Sequence, residues 1–258
     1  MSGSVCALSL TAVKGTRLRG VDAIELGPTG ARGDRRFYVV DERGRMVNGK
    51  VVVGLQTVIA DWDEDTRELA LSFPDGRRVA GIVDPGPSVA TTFFSEPRDV
   101  IAPAGPWSEA LSAHFGRALR LVQTDSAVDR GHHGAVSLVS SASVVRLAGV
   151  AGCDAVDARR FRMLIEVDGL DAHIEDGWVG HRVRVGAAEV AFHGHVGRCA
   201  ITTRDPETAE PDLPTLELLR SYRSELDTTE PLPFGIYGQV LRAGRVAIGD
   251  PVAVLSPA

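Results

Sequence analysis

The first 83 residues break into short β-favouring runs separated by turn signals, and this pattern limits the possible fold more than any other feature. Strands are expected over 5–12, from Val21 to Leu26, over 36–40, and around 55–61, 68–73 and 77–83. Gly27-Pro28 and Asp41-Glu42-Arg43-Gly44 interrupt the runs, and Pro74-Asp75-Gly76 reads as a hairpin turn. Short strands at regular spacing argue for a barrel or a sandwich.

The pattern changes over 85–110. Asp84-Pro85-Gly86-Pro87 and Ala102-Pro103-Ala104-Gly105-Pro106 read as loops, and Pro106-Trp107-Ser108-Glu109 is expected to start a short helix through Phe115, closed by Gly116. Further on the sequence predicts a buried strand at 136–139 and a helix that starts at Ser140-Ser141 and runs to about Ala148. A strand at 160–167 and a loop carrying Glu175-Asp176-Gly177-Trp178 follow. Strands are expected again at 182–185, 188–193 and 198–203, then a helix over 214–223 and β structure to the end. The expected class is mostly β (α+β), with a few helices.

Size and charge narrow the function. The 258 residues fit one large or two modest domains, and 44% hydrophobic with 24% charged residues is enough for a sizeable core. A net charge of −6 disfavours nucleic acid as a partner but leaves room for a local basic pocket. The three cysteines, Cys6, Cys153 and Cys199, form neither a disulfide framework nor a Cys-x-x-Cys pair, and cannot hold an iron–sulfur centre. There is no secretory n-region and h-region and no apolar run of spanning length. The expectation is a cytoplasmic protein with reduced thiols and no membrane partner.

Cys199 is the residue with the most chemistry around it. It lies in an alternating stretch, His195-Val-Gly-Arg-Cys199-Ala-Ile-Thr-Thr-Arg-Asp205-Pro, which reads as a strand running into an Asp-Pro turn. The adjacent Arg198 favours the thiolate, the form that attacks electrophiles and binds metals; a free cysteine is also a common small buried hydrophobe. Ser140 and Ser141 stand where a helix N-terminus would favour an anion, or where a serine would simply cap the helix. Asp205 is either a turn residue or a carboxylate beside the site. By strand alternation His193, His195, Gly197 and Cys199 share one face, a pattern that permits a zinc site and equally suits polar strand residues. His132 and His133 read as loop residues able to line an entrance.

Taken in order, several segments resemble the MOSC family (the molybdenum cofactor sulfurase C-terminal domain) with its N-terminal β-barrel domain. They are Val13-Lys14-Gly15, Gly33-Asp-Arg35-Arg-Phe37, Leu138-Val-Ser-Ser-Ala-Ser143, Arg160-Phe-Arg162, Glu175-Asp-Gly-Trp178, Gly197-Arg-Cys199 through Asp205-Pro-Glu-Thr, and Phe234-Gly-Ile-Tyr-Gly with Ile248-Gly-Asp250-Pro-Val. The resemblance implies an N-terminal β-barrel domain over 1–100 and a MOSC domain over 101–258. It also implies a molybdenum–pyranopterin cofactor with the Cys199 thiolate as metal ligand, as in the amidoxime-reducing branch. Lys14, Arg35, Ser140, Ser141, Arg162 and Arg198 would hold the cofactor, and Asp205 would act near the metal. A small N-hydroxylated or related N–O or S–O compound would be the substrate. Electrons would come from a separate reductase, a ferredoxin or a flavoprotein. At the level of the family alone, pyridoxal phosphate binding is implied as well.

The sequence departs from the amidoxime-reducing pattern at three polar positions. Leu164 stands where that branch has Asn, Gly197 where it has Ser, and Gly15 where Lys is followed by Ser. Two further functions fit the same residues: sulfur carriage by a Cys199 persulfide, and a metal-free binding module on the same fold.

Overall fold

The computed structural model describes residues 3–257. Seven strands close into a barrel. Going round it they are Gly3–Leu10, Ile165–Asp168, Val136–Ser140, Pro233–Arg242, Ala188–Gly197, His181–Val185 and Pro251–Pro257, which returns to Gly3–Leu10. Val136–Ser140 and Ile165–Asp168 pair parallel, and the helix Ser141–Ala151 lies in the crossover that such a pairing requires. The remaining neighbours are antiparallel.

Alternation explains the barrel's filling. Val183 and Val185, Val190 and Phe192, Ile165 and Val167, and Val136 with Leu138 lie two apart on their strands, and all are fully buried in one core cluster. A second cluster joins Val139, Leu147, Phe161, Leu219 and Phe234, packing the helices Ser141–Ala151 and Thr215–Arg223 on the barrel's outside.

A second β unit lies within residues 37–123. A meander of Ile59–Asp63, Glu68–Ser72 and Arg78–Ile82 accompanies a five-stranded sheet ordered Ser88–Phe93, Glu96–Ile101, Leu119–Gln123, Phe37–Asp41 and Met46–Val47. The helix Trp107–Phe115 locks the two together: Trp107 is buried and its indole N–H donates to the Leu69 carbonyl at 2.9 Å. Gly116 ends this helix in the left-handed region, as the sequence reading expects.

The mostly β architecture is as expected, and three readings differ from the structure. The 100/101 boundary does not separate the sheets: Gly3–Leu10 closes the barrel of the later residues, and Leu119–Gln123 pairs with Phe37–Asp41. The loops at 84–87 and 102–106 are as expected, and between them lies a hairpin the sequence reading leaves unassigned, Ser88–Phe93/Glu96–Ile101. Pro97 is tolerated there because its strand has little pairing on the other side, only Ile101 with Gln123. The stretch 160–167 splits into the 3-10 turn Ala158–Phe161 and the strand Ile165–Asp168, with Arg162 in the left-handed region between them. The strand expected at 198–203 is a 3-10 turn, Ala200–Thr203. There the Thr202 hydroxyl donates to the Cys199 carbonyl and the Thr203 hydroxyl to the Ala200 carbonyl, local bonds that compete with a ladder.

Candidate functional site

Where Ala188–Gly197 ends, loops from both β units enclose a cavity of about 290 Å³, near the lower end for small-molecule sites. Its walls carry seven cations, Lys14, Arg35, Lys50, Arg130, Arg160, Arg162 and Arg198, against one carboxylate, Asp129. Cys199, half-buried, is also in the wall. A chain of net charge −6 has thus gathered positive charge at one place.

The innermost cations form one cluster. Lys14 follows Val13, which bridges to Phe37, and its ammonium pairs with Asp129. Arg35 pairs with Asp34 and donates to the Arg162 carbonyl at 3.1 Å. Arg162 donates to the Thr16 carbonyl at 2.7 Å and makes no ion pair among the described residues. Burial lowers the Lys14 pKa, with Asp129 opposing and Arg35 and Arg162 adding to the fall. Burial and then the Arg35 charge bring Arg162 down to about 10. Asp129 is held below the ordinary carboxylate range: burial pushes it up, but Lys14 and Arg35 outweigh that. Three cations here face two carboxylates, Asp34 and Asp129, so the cluster keeps an uncompensated positive charge in a desolvated place.

The backbone around the cavity is strained. Arg35, Arg130 and Arg162 have φ of 47°, 66° and 56°, a region that costs a non-glycine residue about 1–3 kcal/mol. Such residues persist where the surrounding structure over-determines them, and here three arginines of one cavity do so together.

The remaining cations are largely committed to structure. Arg198 donates through Nη1 to the Phe161 carbonyl at 2.7 Å and through Nε to the Phe234 carbonyl at 2.9 Å. It brackets the wall rather than pointing at a ligand, and burial brings it down to about 9 with Cys199 opposing. Arg160 makes a two-pronged pair with Asp212 at 2.7 and 3.0 Å and donates to the Thr202 carbonyl at 3.1 Å, fixing the turn after Cys199. Arg130 pairs with Glu230 and lies 4.3 Å from the Tyr237 ring centroid.

Lys14, Arg35, Arg162, Arg198 and Cys199 line one cavity. Ser140 and Ser141 do not line it. The buried Glu175 carboxylate already occupies their helix N-terminus, accepting from the Ser140 N–H at 3.1 Å and the Ser143 hydroxyl at 2.8 Å, while Ser141 donates to Asp168 at 3.0 Å. Burial raises the Glu175 pKa against those bonds. Asp205 is also absent from the wall: its carboxylate accepts from the N–H groups of Glu207 and Thr208, each at 2.8 Å, as a turn residue does.

The shared-face reading of His193 and His195 fails because bulges interrupt the strand between Phe192 and Gly194 and between His195 and Gly197. His193 is exposed, whereas His195 is buried with Nε2 3.9 Å from Asp176. No cluster of three His, Cys, Asp or Glu able to hold a metal occurs among the described residues. His132 and His133 are exposed and adjoin the wall residue Gly134. Lys50, Asn48, Phe94 and Arg130 line the cavity with no sequence signal pointing to them, and Tyr237 lines it from the segment Phe234-Gly-Ile-Tyr237-Gly.

The departures have structural causes. Leu164 is buried in the barrel core and forms wall. A Cβ on Gly197 would lie 2.6 Å from Glu230 Oε2. Gly15 has φ of 94°, and a Cβ there would lie 2.7 Å from Leu55 Cδ2.

The MOSC domain model matches residues 113–253. Mitochondrial amidoxime reducing component 2 of Homo sapiens is 40% identical over 99 residues, covering 36% of this chain and 29% of that protein. The protein of the same name from Bos taurus is 27% identical over 292 aligned positions, covering 97% of this chain and 82% of its own length. Among solved structures, the YUAD protein of Bacillus subtilis covers 100% of this chain and 98% of its own, at a TM-score of 0.48 and 13% identity. No helix among the described residues is long and apolar enough to cross a membrane.

Proposed function

Because the chain belongs to the MOSC domain family, with more than half its length in the match, we propose that it is a molybdenum–pyranopterin oxidoreductase that reduces N-hydroxylated compounds. One observation carries the reading: a cavity with seven cations, one carboxylate and a free thiol in its wall. The residues fit the group. An anionic phosphate answers the uncompensated charge of Lys14, Arg35 and Arg162, and the guanidinium donors Arg162 leaves unused suit phosphate oxygens. A thiolate at Cys199 suits a sulfur-rich metal. When bound, the cofactor supplies two-electron oxygen-atom chemistry that no side chain here provides.

The chain's own residues bind and orient. Lys14, held by Asp129, and Arg35, held by Asp34, present fixed positive charge. Arg198 and Arg160 fix the segments on either side of Cys199. Overall, the N–O bond of the substrate breaks, two electrons and two protons enter, and the oxygen leaves as water. The electrons come from a separate donor of the ferredoxin or flavoprotein kind. Two similar proteins that are named amidoxime reducing components support the substrate class.

The test is elemental and pterin analysis of protein from a cofactor-producing host, beside its Cys199→Ala variant, followed by turnover of benzamidoxime with a reconstituted donor. Near-stoichiometric molybdenum and pterin, with metal or turnover lost in the variant, is the expected result. A full metal complement without turnover would sink the reductase reading.

A further inference from the structure

The tip of the hairpin Ser88–Phe93/Glu96–Ile101 is a two-residue loop, Phe94-Ser95, closed by the pair Phe93 with Glu96. Both loop residues are left-handed, Phe94 at φ 48° and Ser95 at φ 75°. That is the geometry of a type I′ turn, which asks for Asn-Gly. A bulky aromatic residue in this region is an outlier, and it costs stability the hairpin could recover with Asn. Nor does burial explain Phe94: it is 50% exposed, unlike the neighbouring Phe93 at 2%. Phe94 lines the cavity; the Phe93 ring meets it edge-on at 5.1 Å and the Lys14 ammonium lies 5.3 Å from its ring centroid, and half of the side chain stays open to solvent. A half-exposed aromatic ring on strained backbone thus stands in the wall of the cavity that contains the thiol.

We infer that Phe94 is a specificity-determining residue: its ring is a platform in the cavity wall on which a planar, conjugated substrate stacks. This rests on the reductase reading for the reactive group, an N–OH, and adds that the group is borne on a flat aromatic or heteroaromatic frame. Aromatic pairs gain from offset stacking beyond the area they bury, so the platform separates aromatic from aliphatic compounds about two- to tenfold.

The test compares benzamidoxime with acetamidoxime on cofactor-loaded protein, first as binding without an electron donor, then as turnover with one. Wild type is compared with Phe94→Leu, which keeps an apolar side chain without the ring face, and with Phe94→Asn, which suits the turn and guards against misfolding. The expected result is tighter binding of benzamidoxime in wild type and loss of that preference in both variants, with molybdenum content unchanged and a melting temperature for Phe94→Asn no lower than wild type. An unchanged preference overturns the inference, as does a fall in cofactor content without a change in preference, since the ring would then serve the cofactor. Binding preference that depends on Phe94 but leads to no turnover leaves the platform standing and overturns the reductase reading instead.

Discussion

The backbone N–H of Gly197 donates to Glu230 Oε2 at 3.2 Å, two residues before Cys199. Glu230 pairs in turn with Arg130, which follows the partner of Lys14 in sequence, so the strand that ends just before the thiol and the cation cluster are tied through one carboxylate. A Cβ at position 197 would also lie 3.0 Å from Glu230 Cβ and 3.1 Å from the Pro231 carbonyl. Gly197→Ala is therefore expected to cost about 1–3 kcal/mol, the range for overpacking. Adding Glu230→Ala should recover part of it, giving a coupling of at least about 0.5 kcal/mol in a double-mutant cycle read by urea unfolding. Strict additivity would show that Glu230 is not what makes glycine necessary there.

Arg162 combines a left-handed backbone with a buried charge that forms no ion pair among the described residues. Asn accepts that backbone region readily and removes the charge. Arg162→Asn should keep the stability of the protein within about 1 kcal/mol of wild type, the lost bond to Thr16 being offset by relief of strain. Affinity for a phosphate-bearing cofactor should fall about tenfold or more, since a hydrogen bond to a charged group contributes about 1.5–3 kcal/mol. Phosphate titration by calorimetry beside thermal unfolding separates the two effects. A large loss of stability with unchanged phosphate affinity would make Arg162 a purely structural residue.

What was legible in the sequence follows from what each residue answers to. The barrel's alternating strands could be read because Val183, Val185, Val190 and Phe192 answer to one local rule, burial at every second position. Lys14, Arg35, Arg162 and Cys199 drew attention because they stand in segments that keep the family's order, and the fold brings them to one cavity. Ser140, Ser141 and Asp205 misled because a polar residue at a helix start or turn looks the same whether it serves a ligand or its own backbone. Here Glu175, 35 positions along the chain from Ser140, takes the helix N-terminus. The hairpin at 88–101 was hidden by flanking prolines that also suit an edge strand. Phe94, Arg130 and Glu230 were invisible because their importance lies in left-handed backbone and in contacts about a hundred positions away, such as Arg130 with Glu230.

His173 carries a pH dependence. It is left-handed at φ 64°, lies 5.7 Å from both the Tyr222 and Phe234 ring centroids, and neither ring nitrogen finds a hydrogen-bond partner among the described residues. Burial, then the Arg223 charge, pushes its pKa from 6.5 down to about 4, with Asp176 opposing. Between those values the unfolded chain binds a proton that the folded protein does not, so stability is complete above pH 6.5 and falls as the pH drops toward 4. His195, also lowered by burial, adds to the same fall. In His173→Asn, which suits the backbone and does not titrate, the decline of the urea midpoint over this window should be shallower than in wild type. Parallel slopes would mean that His173 gains its proton in the folded protein as easily as in the unfolded one.

Leu164 shows why a missing polar contact need not be restored by putting it back. Its side chain is 2% exposed and packs in the barrel core with Leu138, Ile165 and Val167, while its N–H donates to Ser137 Oγ at 3.0 Å and its carbonyl accepts from the Ser9 N–H at 3.0 Å. An amide there would lose the packing of a buried leucine and bring polar groups into an apolar cluster. Leu164→Asn is expected to destabilise the protein by about 2–5 kcal/mol, the range for truncating a core leucine. Molybdenum and pterin per folded molecule should not rise, because the cavity's grip rests on Lys14, Arg35 and Arg162 rather than on this wall. Urea unfolding with metal analysis of the folded fraction reads both numbers. A variant that kept its stability and gained cofactor would show that position 164 faces the ligand instead of the core.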